Sequence, residues 1–464
     1  MAMVRTLWLV LSLAACGRWN FDHAADASID ACVTGAVCTP ATAVCWTGIA
    51  DCTDSCAAST PLDATGCPGG TCASGVCLGA ASAPLDHPAA GTNAYFGASV
   101  DSDGQRIVVG APQANAAYVV EPAGASWVVT ATLTSTWGPA ASLFGAAVAI
   151  DGDRIVVGSR YSRGPGMTPV SGAGGAIVIY ERNVALDTWT EVGQVLGPDG
   201  GEFGNALALR GNRIVVGAEY ADTVPMGYGS AYIVEGSGSV WATVATLAAP
   251  TADRLGHFVQ LSGDRVAIGS LWDPGPVSTE TGAVRIWERS TSGAWSLAQV
   301  LQPDDTRPDA FGQGFSLDGD RLAVGVPWFA DGDRGTGAVY VYDRDPSGVW
   351  QTAGPILPSI PQRDGNLGRG IVVRGDRLFA TAADWNAAGA VTTHIYRRQP
   401  DGRWLEVGQR VDASGTEHGY GLGGIEVDLQ MAIAGDQAIV GFPIRNYSAG
   451  RAPGAIVFQD ATGL

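Results

Sequence analysis

The sequence predicts an all-β chain, a seven-bladed β-propeller of four-stranded antiparallel blades preceded by a small disulfide-rich module. Three observations predict it. One glycine-punctuated phrase recurs seven times over about the last 380 of the 464 residues. Each copy reads as a tight hairpin followed by two further short strands. Eight cysteines crowd into residues 32–77, and none follows them. Repeats of this length, with four strands each, specify a radial array of small sheets.

Taken in order, the chain begins with one arginine, a short apolar run and small residues before Cys16. The run is too short to span a bilayer and reads as a signal peptide over residues 1–15. The Leu13-Ala14-Ala15-Cys16 stop resembles the bacterial lipobox, in which cleavage leaves a lipid-modified cysteine at the new amino terminus. Residues 16–31 then form the lipidated cysteine and a polar tether. The expected location is the bacterial cell envelope, extracytoplasmic and lipid-anchored. An ordinary signal peptide with a coincidental cysteine is the alternative.

Residues 32–80 carry Cys32, Cys38, Cys45, Cys52, Cys56, Cys67, Cys72 and Cys77. An even, dense set in an exported chain predicts a disulfide module with four bridges, in a connectivity the spacing leaves open. Zinc is the weaker reading, because the segment has neither a Cys-x-x-Cys pair nor a histidine.

Residues 81–464 hold the repeats. A leading glycine stands at Gly97, Gly145, Gly204, Gly256, Gly312 and Gly368, and a turn glycine follows seven residues later, at Gly104, Gly152, Gly211, Gly263, Gly319 and Gly375. A third glycine comes six residues further on, at Gly110, Gly158, Gly217, Gly269 and Gly325, while the sixth copy has Thr381 there. The seventh copy keeps only Gly435 and Gly441. Apolar residues two and four positions before each turn glycine share one face of the first strand. The second strand is apolar throughout, as in Ile155-Val156-Val157, which predicts cover on both faces. A third strand follows a variable loop, and the fourth begins near Trp127, Trp189, Trp241, Trp295, Trp350 or Trp404. Six tryptophan strands serve seven repeats, so the unassigned residues 81–93 are expected to complete the last sheet outside residues 454–458 and hide an open edge.

These residues resemble the FG-GAP repeat family, best known from integrin α-chain heads, in the compact form of bacterial surface proteins. Phe-Gly stands at Phe96-Gly97, Phe144-Gly145, Phe203-Gly204 and Phe311-Gly312, and Gly-Ala-Pro at Gly110-Ala111-Pro112. The resemblance implies a binding or adhesion surface more than an activity, and a fold alone does not fix function. Integrin-type repeats also hold calcium in a long Asp-rich loop between the first two strands. Here that connection is a two-residue turn, too short to converge six to eight oxygens. No cofactor is therefore expected, with Asp331 and Asp333 of a longer loop as a weak calcium candidate.

Composition excludes several functions. A net charge of −18 argues against nucleic acid, and leaves only a lipid anchor to reach a membrane. All 27 basic residues are arginines, which fits a composition bias and rules out Schiff-base and phosphate-loop lysines. The five histidines form no metal or catalytic pair, and no nucleophile elbow is present, so no catalytic residue is assigned. His257 falls on an inner strand and is expected in a structural or channel-lining role.

The loops after each second strand vary most and are expected on one rim. They carry Tyr161, Tyr220, Tyr228, Trp272, Trp328, Phe329, Trp385 and Tyr447. Aromatic side chains anchor interfaces and sugar sites, and they equally cap blades. The function expected is non-enzymatic binding of a surface protein or glycan by an envelope lipoprotein. The alternative is an extracytoplasmic enzyme acting on polysaccharide through carboxylates on the propeller face.

Overall fold

The computed structural model describes residues 94–411 apart from 125, 138–141, 165–167, 169–173, 199, 222–228, 250–253, 272, 274–280, 304–309, 332–333, 360–364 and 384–390. Outside that span it describes residues 37–38, 48–50, 56–57, 70–73, 76–80, 83–86, 88, 430–434, 437–442 and 454–459. The fourth repeat shows the unit. Leu255–Ser262, Arg265–Ser270, Ala283–Arg289 and Trp295–Leu301 pair consecutively and antiparallel. The first, second, third and fifth repeats build the same sheet.

The last repeat supplies Met431–Ala434, Gln437–Phe442 and Gly454–Gln459. Its fourth strand is Ala83–Asp86, antiparallel to Gly454–Gln459 with Asp86 opposite Gly454 and Ala83 opposite Val457. The segment before the first repeat thus covers the edge that the tryptophan count left open.

The expectation of seven four-stranded blades is corrected. Among the described residues six blades are four-stranded. The sixth repeat instead lies in a six-stranded sheet, because Val76–Ala80 adds in parallel to the outer edge of Trp404–Val411 and Gly70–Ala73 pairs outside it. The separate disulfide-rich module is not supported either. Gly70–Ala73 and Val76–Ala80, assigned to it, are outer strands of a propeller sheet, and Cys72 and Cys77 sit opposite each other in that added pair. The physical reason is edge satisfaction: an open outer strand presents unpaired N–H and C=O groups, and a nearby short hairpin covers them. Cys38 and Cys56 lie in two short strands, Val37–Cys38 and Cys56–Ala57, paired through Gly48–Ala50. Cys16, Cys32, Cys45, Cys52 and Cys67 lie outside the described residues.

The glycine register has two physical causes. Turn glycines such as Gly152 and Gly263 have φ of 60° and 59°, and open space lies where a β-carbon would stand. They are there for backbone conformation alone. The third glycine is there for room. A β-carbon on Gly158 would overlap the carbonyl oxygen of Gly204, the leading glycine of the next repeat. Gly110 meets Gly145 in the same way, Gly217 meets Gly256, and Gly325 meets Gly368. Gly441 of the last repeat meets Gly97 of the first, so the ring closes through the contact that joins its neighbours. The sixth copy carries Thr381 at this position, and the seventh has Asp428 where its leading glycine would fall. The two glycines of a contact are kept together and lost together.

Side chains repeat the pattern. Ile177 and Ile179 of the second repeat share a core with Ile214 and Val216 of the third, all fully buried. Val215 and Ile233 of the third share one with Val266 and Ile268 of the fourth, and Ile107 of the first packs with Ile439 of the last. Each such side chain contributes about 1.5–3 kcal/mol of burial. At the turn end an arginine joins neighbours. Arg213 donates to Glu235 of its own repeat (2.7 Å) and to Asp264 in the next turn (3.0 Å), and its guanidinium lies 5.4 Å from the Trp295 ring. Arg154 repeats this with Glu181, Asn212 and Trp241, and Arg321 with Asp343, Asp376 and Trp404. The turn aspartates Asp264 and Asp376 thus serve as acceptors for the preceding repeat.

Candidate functional site

The opposite end of the ring carries the loops after each second strand. There two adjacent repeats carry a charged residue at the third position of the Gly-Ala-Pro phrase. Arg160 stands in Gly158-Ser159-Arg160 and Glu219 in Gly217-Ala218-Glu219, where the first repeat has Pro112. The two side chains meet. Arg160 donates through Nη2 to Glu219 Oε1 (2.8 Å) and through Nε to Glu202 Oε2. His257 Nδ1 lies 2.8 Å from Glu219 Oε2. Arg160, Glu202, Glu219 and His257 are all buried. Burial alone would raise the Glu219 carboxyl. His257 first, then Arg160 and Arg254, outweigh it and hold that carboxyl down at about 2. The same pairing pushes the Arg160 guanidinium above its usual range.

Backbone geometry places two members of the cluster. The residue before each Phe or Leu of the leading phrase has a left-handed backbone: Tyr95, Leu143, Glu202, Arg254, Ala310 and Asn366 have φ between 49° and 58°. Such φ is uncommon for non-glycine residues. Since every described copy has it, it belongs to the repeat, and the side chain at that point is what varies. Here it brings in Glu202 and Arg254.

Aromatic rings lie over these charges. The Arg160 guanidinium is 5.8 Å from the ring of Tyr161, and that of Arg254 is 5.2 Å from the ring of Tyr220. Tyr220 is 36% exposed and Trp328 39%, so both present surface at this rim. Phe329, expected beside them, packs into the core of the fifth repeat and meets Tyr340 edge-on at 6.5 Å. Asp331 stands opposite Arg334 in the register of two short strands, Ala330–Asp331 and Arg334–Gly335. Tyr228, Trp272, Asp333, Trp385 and Tyr447 lie outside the described residues. Among the described residues no group of three or more His, Cys, Asp or Glu side chains converges as a metal site. No helix among them is long and apolar enough to cross a membrane.

The first strands enclose a central channel of ≈ 170 Å³, with Arg160, Glu219 and His257 in its wall. Asp101 lines it further along and accepts the Ile150 amide (2.8 Å). Desolvation pushes its carboxyl up to about 6, against the lowering effects of that amide and of Arg210. The carboxylate of nearby Asp103 is engaged by the Gln105 and Arg106 amides and the Arg106 guanidinium.

His257 was the one member of the cluster singled out from sequence. Arg160, Glu202, Glu219 and Arg254 were missed. The available signal was the replacement of the phrase's proline by opposite charges in consecutive repeats.

A family model described as FG-GAP repeat matches residues 127–177, 189–234 and 295–342. No curated protein matches the chain. Among solved structures the chain is similar to U3-55K, at 12% identity and TM-score 0.47 over 81% of this chain and 97% of that one. It is similar to the periplasmic gluconolactonase PpgL of Pseudomonas aeruginosa, at 16% identity and TM-score 0.45 over 76% and 96%. A third likeness is to Saccharomyces cerevisiae Sqt1, at 11% identity and TM-score 0.44 over 82% and 99%. These structural likenesses are too distant to carry a functional argument. The phrase read from the residues and the family match agree, and the chain carries FG-GAP repeats on a β-propeller.

Proposed function

We propose that this chain is a non-enzymatic binding protein of the cell envelope, lipid-anchored through Cys16, whose propeller rim holds a surface protein or glycan. One observation carries the reading. Tyr161 lies against Arg160, which is held in buried ion pairs with Glu202 and Glu219, and Tyr220 lies against Arg254, on the rim that also exposes Trp328. Aromatic anchors on a rigid support are what recognition surfaces use.

The polysaccharide-cleaving alternative needs two carboxyl groups, one protonated and one free. Glu202 and Glu219 share Arg160, and Glu219 is held ionised. Asp101 has the raised carboxyl, but its acidic neighbour Asp103 is engaged by its own turn. Neither pair offers the acid and base together. The test is an array of surface glycans and envelope proteins probed with the soluble chain beginning after Cys16. Specific capture that falls at least tenfold in Tyr220→Ala and Trp328→Ala supports rim binding. Capture unchanged by both substitutions, or turnover of an arrayed polysaccharide, contradicts it.

A further inference from the structure

The junctions between repeats follow one plan except at a single place. The third glycine of one repeat lies against the leading glycine of the next, and the Phe or Leu before that leading glycine is fully buried. Phe144, Phe203, Leu255, Phe311 and Leu367 fill this position within the ring, and Phe96 fills it where the last repeat meets the first. That closing junction also holds a hydrogen bond from Trp127 Nε1 to Gln437 Oε1 (2.9 Å). Between the sixth and seventh repeats the plan fails. Thr381 stands for the third glycine, and its hydroxyl accepts from the Gly370 amide of its own repeat (2.8 Å). Val427 and Asp428 stand for the leading pair. A β-carbon at these positions forbids the backbone approach that paired glycines allow. Among the described residues the core there is made by Phe379 and Ile395 of the sixth repeat with Ile433 and Ala438 of the seventh.

The amino-terminal segment crosses this junction. Val76–Ala80 runs along the outer strand of the sixth repeat, with Ala80 opposite Val411. Ala83–Asp86 runs along the outer strand of the seventh, with Ala83 opposite Val457. Only residues 81 and 82 lie between, and a chain covers at most about 11 Å in those three steps. The strand that receives Val76–Ala80 is itself pinned. Its Glu406 accepts from Gln409 (2.7 Å) and from the Ser359 amide (2.7 Å), and His394 Nδ1 lies 2.8 Å from the same carboxylate. A short tether between two held strands keeps their sheets together, and its hold weakens as the tether lengthens.

We propose that residues 76–86 are a clasp over the junction of the sixth and seventh repeats, and that releasing it opens the ring there first. The clasp supplies from outside the hold that paired glycines supply from inside at the other junctions. The chain before residue 76 therefore acts on the ring through this one junction.

The test is amide hydrogen exchange on the whole soluble chain and two variants of it. Leu78→Pro removes an amide from Val76–Ala80 and so detaches that strand. A twelve-residue Gly-Ser insertion between residues 81 and 82 leaves both strands free to pair but slackens the link between them. Exchange is followed in Ile371–Arg374 and Met431–Ala434, the first strands beside the junction, and in Ala206–Arg210, beside a junction with paired glycines. Exchange beside the sixth–seventh junction should quicken at least tenfold in Leu78→Pro and at least threefold with the insertion, while Ala206–Arg210 exchanges as in the parent. Parental exchange at the junction in the insertion variant would overturn the proposal, since Val76–Ala80 would then cap an edge and clasp nothing. Equal acceleration at all three strands would overturn it as well. If Leu78→Pro does not fold, the insertion variant decides alone.

Discussion

The two ends of the ring use the same kinds of charge to different effect. At the turn end, Arg106, Arg154, Arg213, Arg265 and Arg321 each bind an acid of their own repeat and reach the next turn. At the rim end, Arg160 pairs with Glu202 and Glu219, and His257 joins them, in the second to fourth repeats alone among those described. The turn acceptors are open to solvent, Asp264 at 66% and Asp376 at 73%, whereas Glu219 is at 3%. What every repeat has is a requirement of the ring. What a few adjacent repeats have, buried and at the mouth of the channel, needs another explanation, and recognition is the one proposed above.

The comparison can be broken by unequal losses. The largest effect is expected from Arg160→Met, which removes the guanidinium that buried Glu202 and Glu219 share and should cost about 3–5 kcal/mol in urea unfolding. Adding Glu219→Gln should restore part of it. If Arg160→Met costs less than 1 kcal/mol, the rim cluster is not the tightly coupled unit described.

Glycine substitutions come next and separate the two uses of that residue. Gly217→Ala drives a β-carbon into the Gly256 carbonyl and should cost about 1–3 kcal/mol or more. Gly263→Ala meets nothing within 4 Å and should cost only the backbone strain of its φ of 59°, about 1 kcal/mol. Equal melting temperatures for the two variants would contradict the contact between repeats.

Asp101 gives a pH-dependent test of the channel. Its carboxyl is raised from 3.8 to about 6 in the folded state, so the proton is held more tightly folded than unfolded. Its effect on stability is most favourable below about 4 and is lost as pH rises through about 6. Asp101→Asn keeps an acceptor for the Ile150 amide without the charge. It should raise stability at pH 7.5 by about 1 kcal/mol, allowing for solvent in the channel, and by close to nothing at pH 4. A gain of the same size at both pH values would rule out the desolvated carboxyl. The smallest effect is expected at the turn end: Arg213→Gln should cost under about 1 kcal/mol and matter less in high salt.

The repeat architecture was legible because its causes are local. Turn glycines need a positive φ, inner strands need apolar residues on both faces, and Trp295 or Trp350 marks where a fourth strand begins. Even the closing strand at Ala83–Asp86 could be found by counting edges. The sixth sheet was misjudged because the addition of Val76–Ala80 to Trp404–Val411 joins segments more than 300 residues apart, and no local pattern records such a pairing. The rim cluster failed differently. Arg160 and Glu219 are 59 positions apart, and each alone reads as a surface charge. Only aligned repeats show that both replace the same proline. For the loop aromatics the sequence left binding and capping both open, and Phe329 takes the capping role, since an aromatic residue in a loop can seal a core as readily as face solvent.

The most direct measurement is ligand capture by matched variants of the two ends. Tyr220→Ala and Trp328→Ala alter the rim, and Arg265→Gln and Arg321→Gln alter the turn end, each at a confirmed native melting profile. Capture lost at least tenfold in the rim pair and retained in the turn pair is the predicted result. Loss in the turn pair with the rim pair unaffected would contradict the division between a repeated scaffold and an unrepeated binding face.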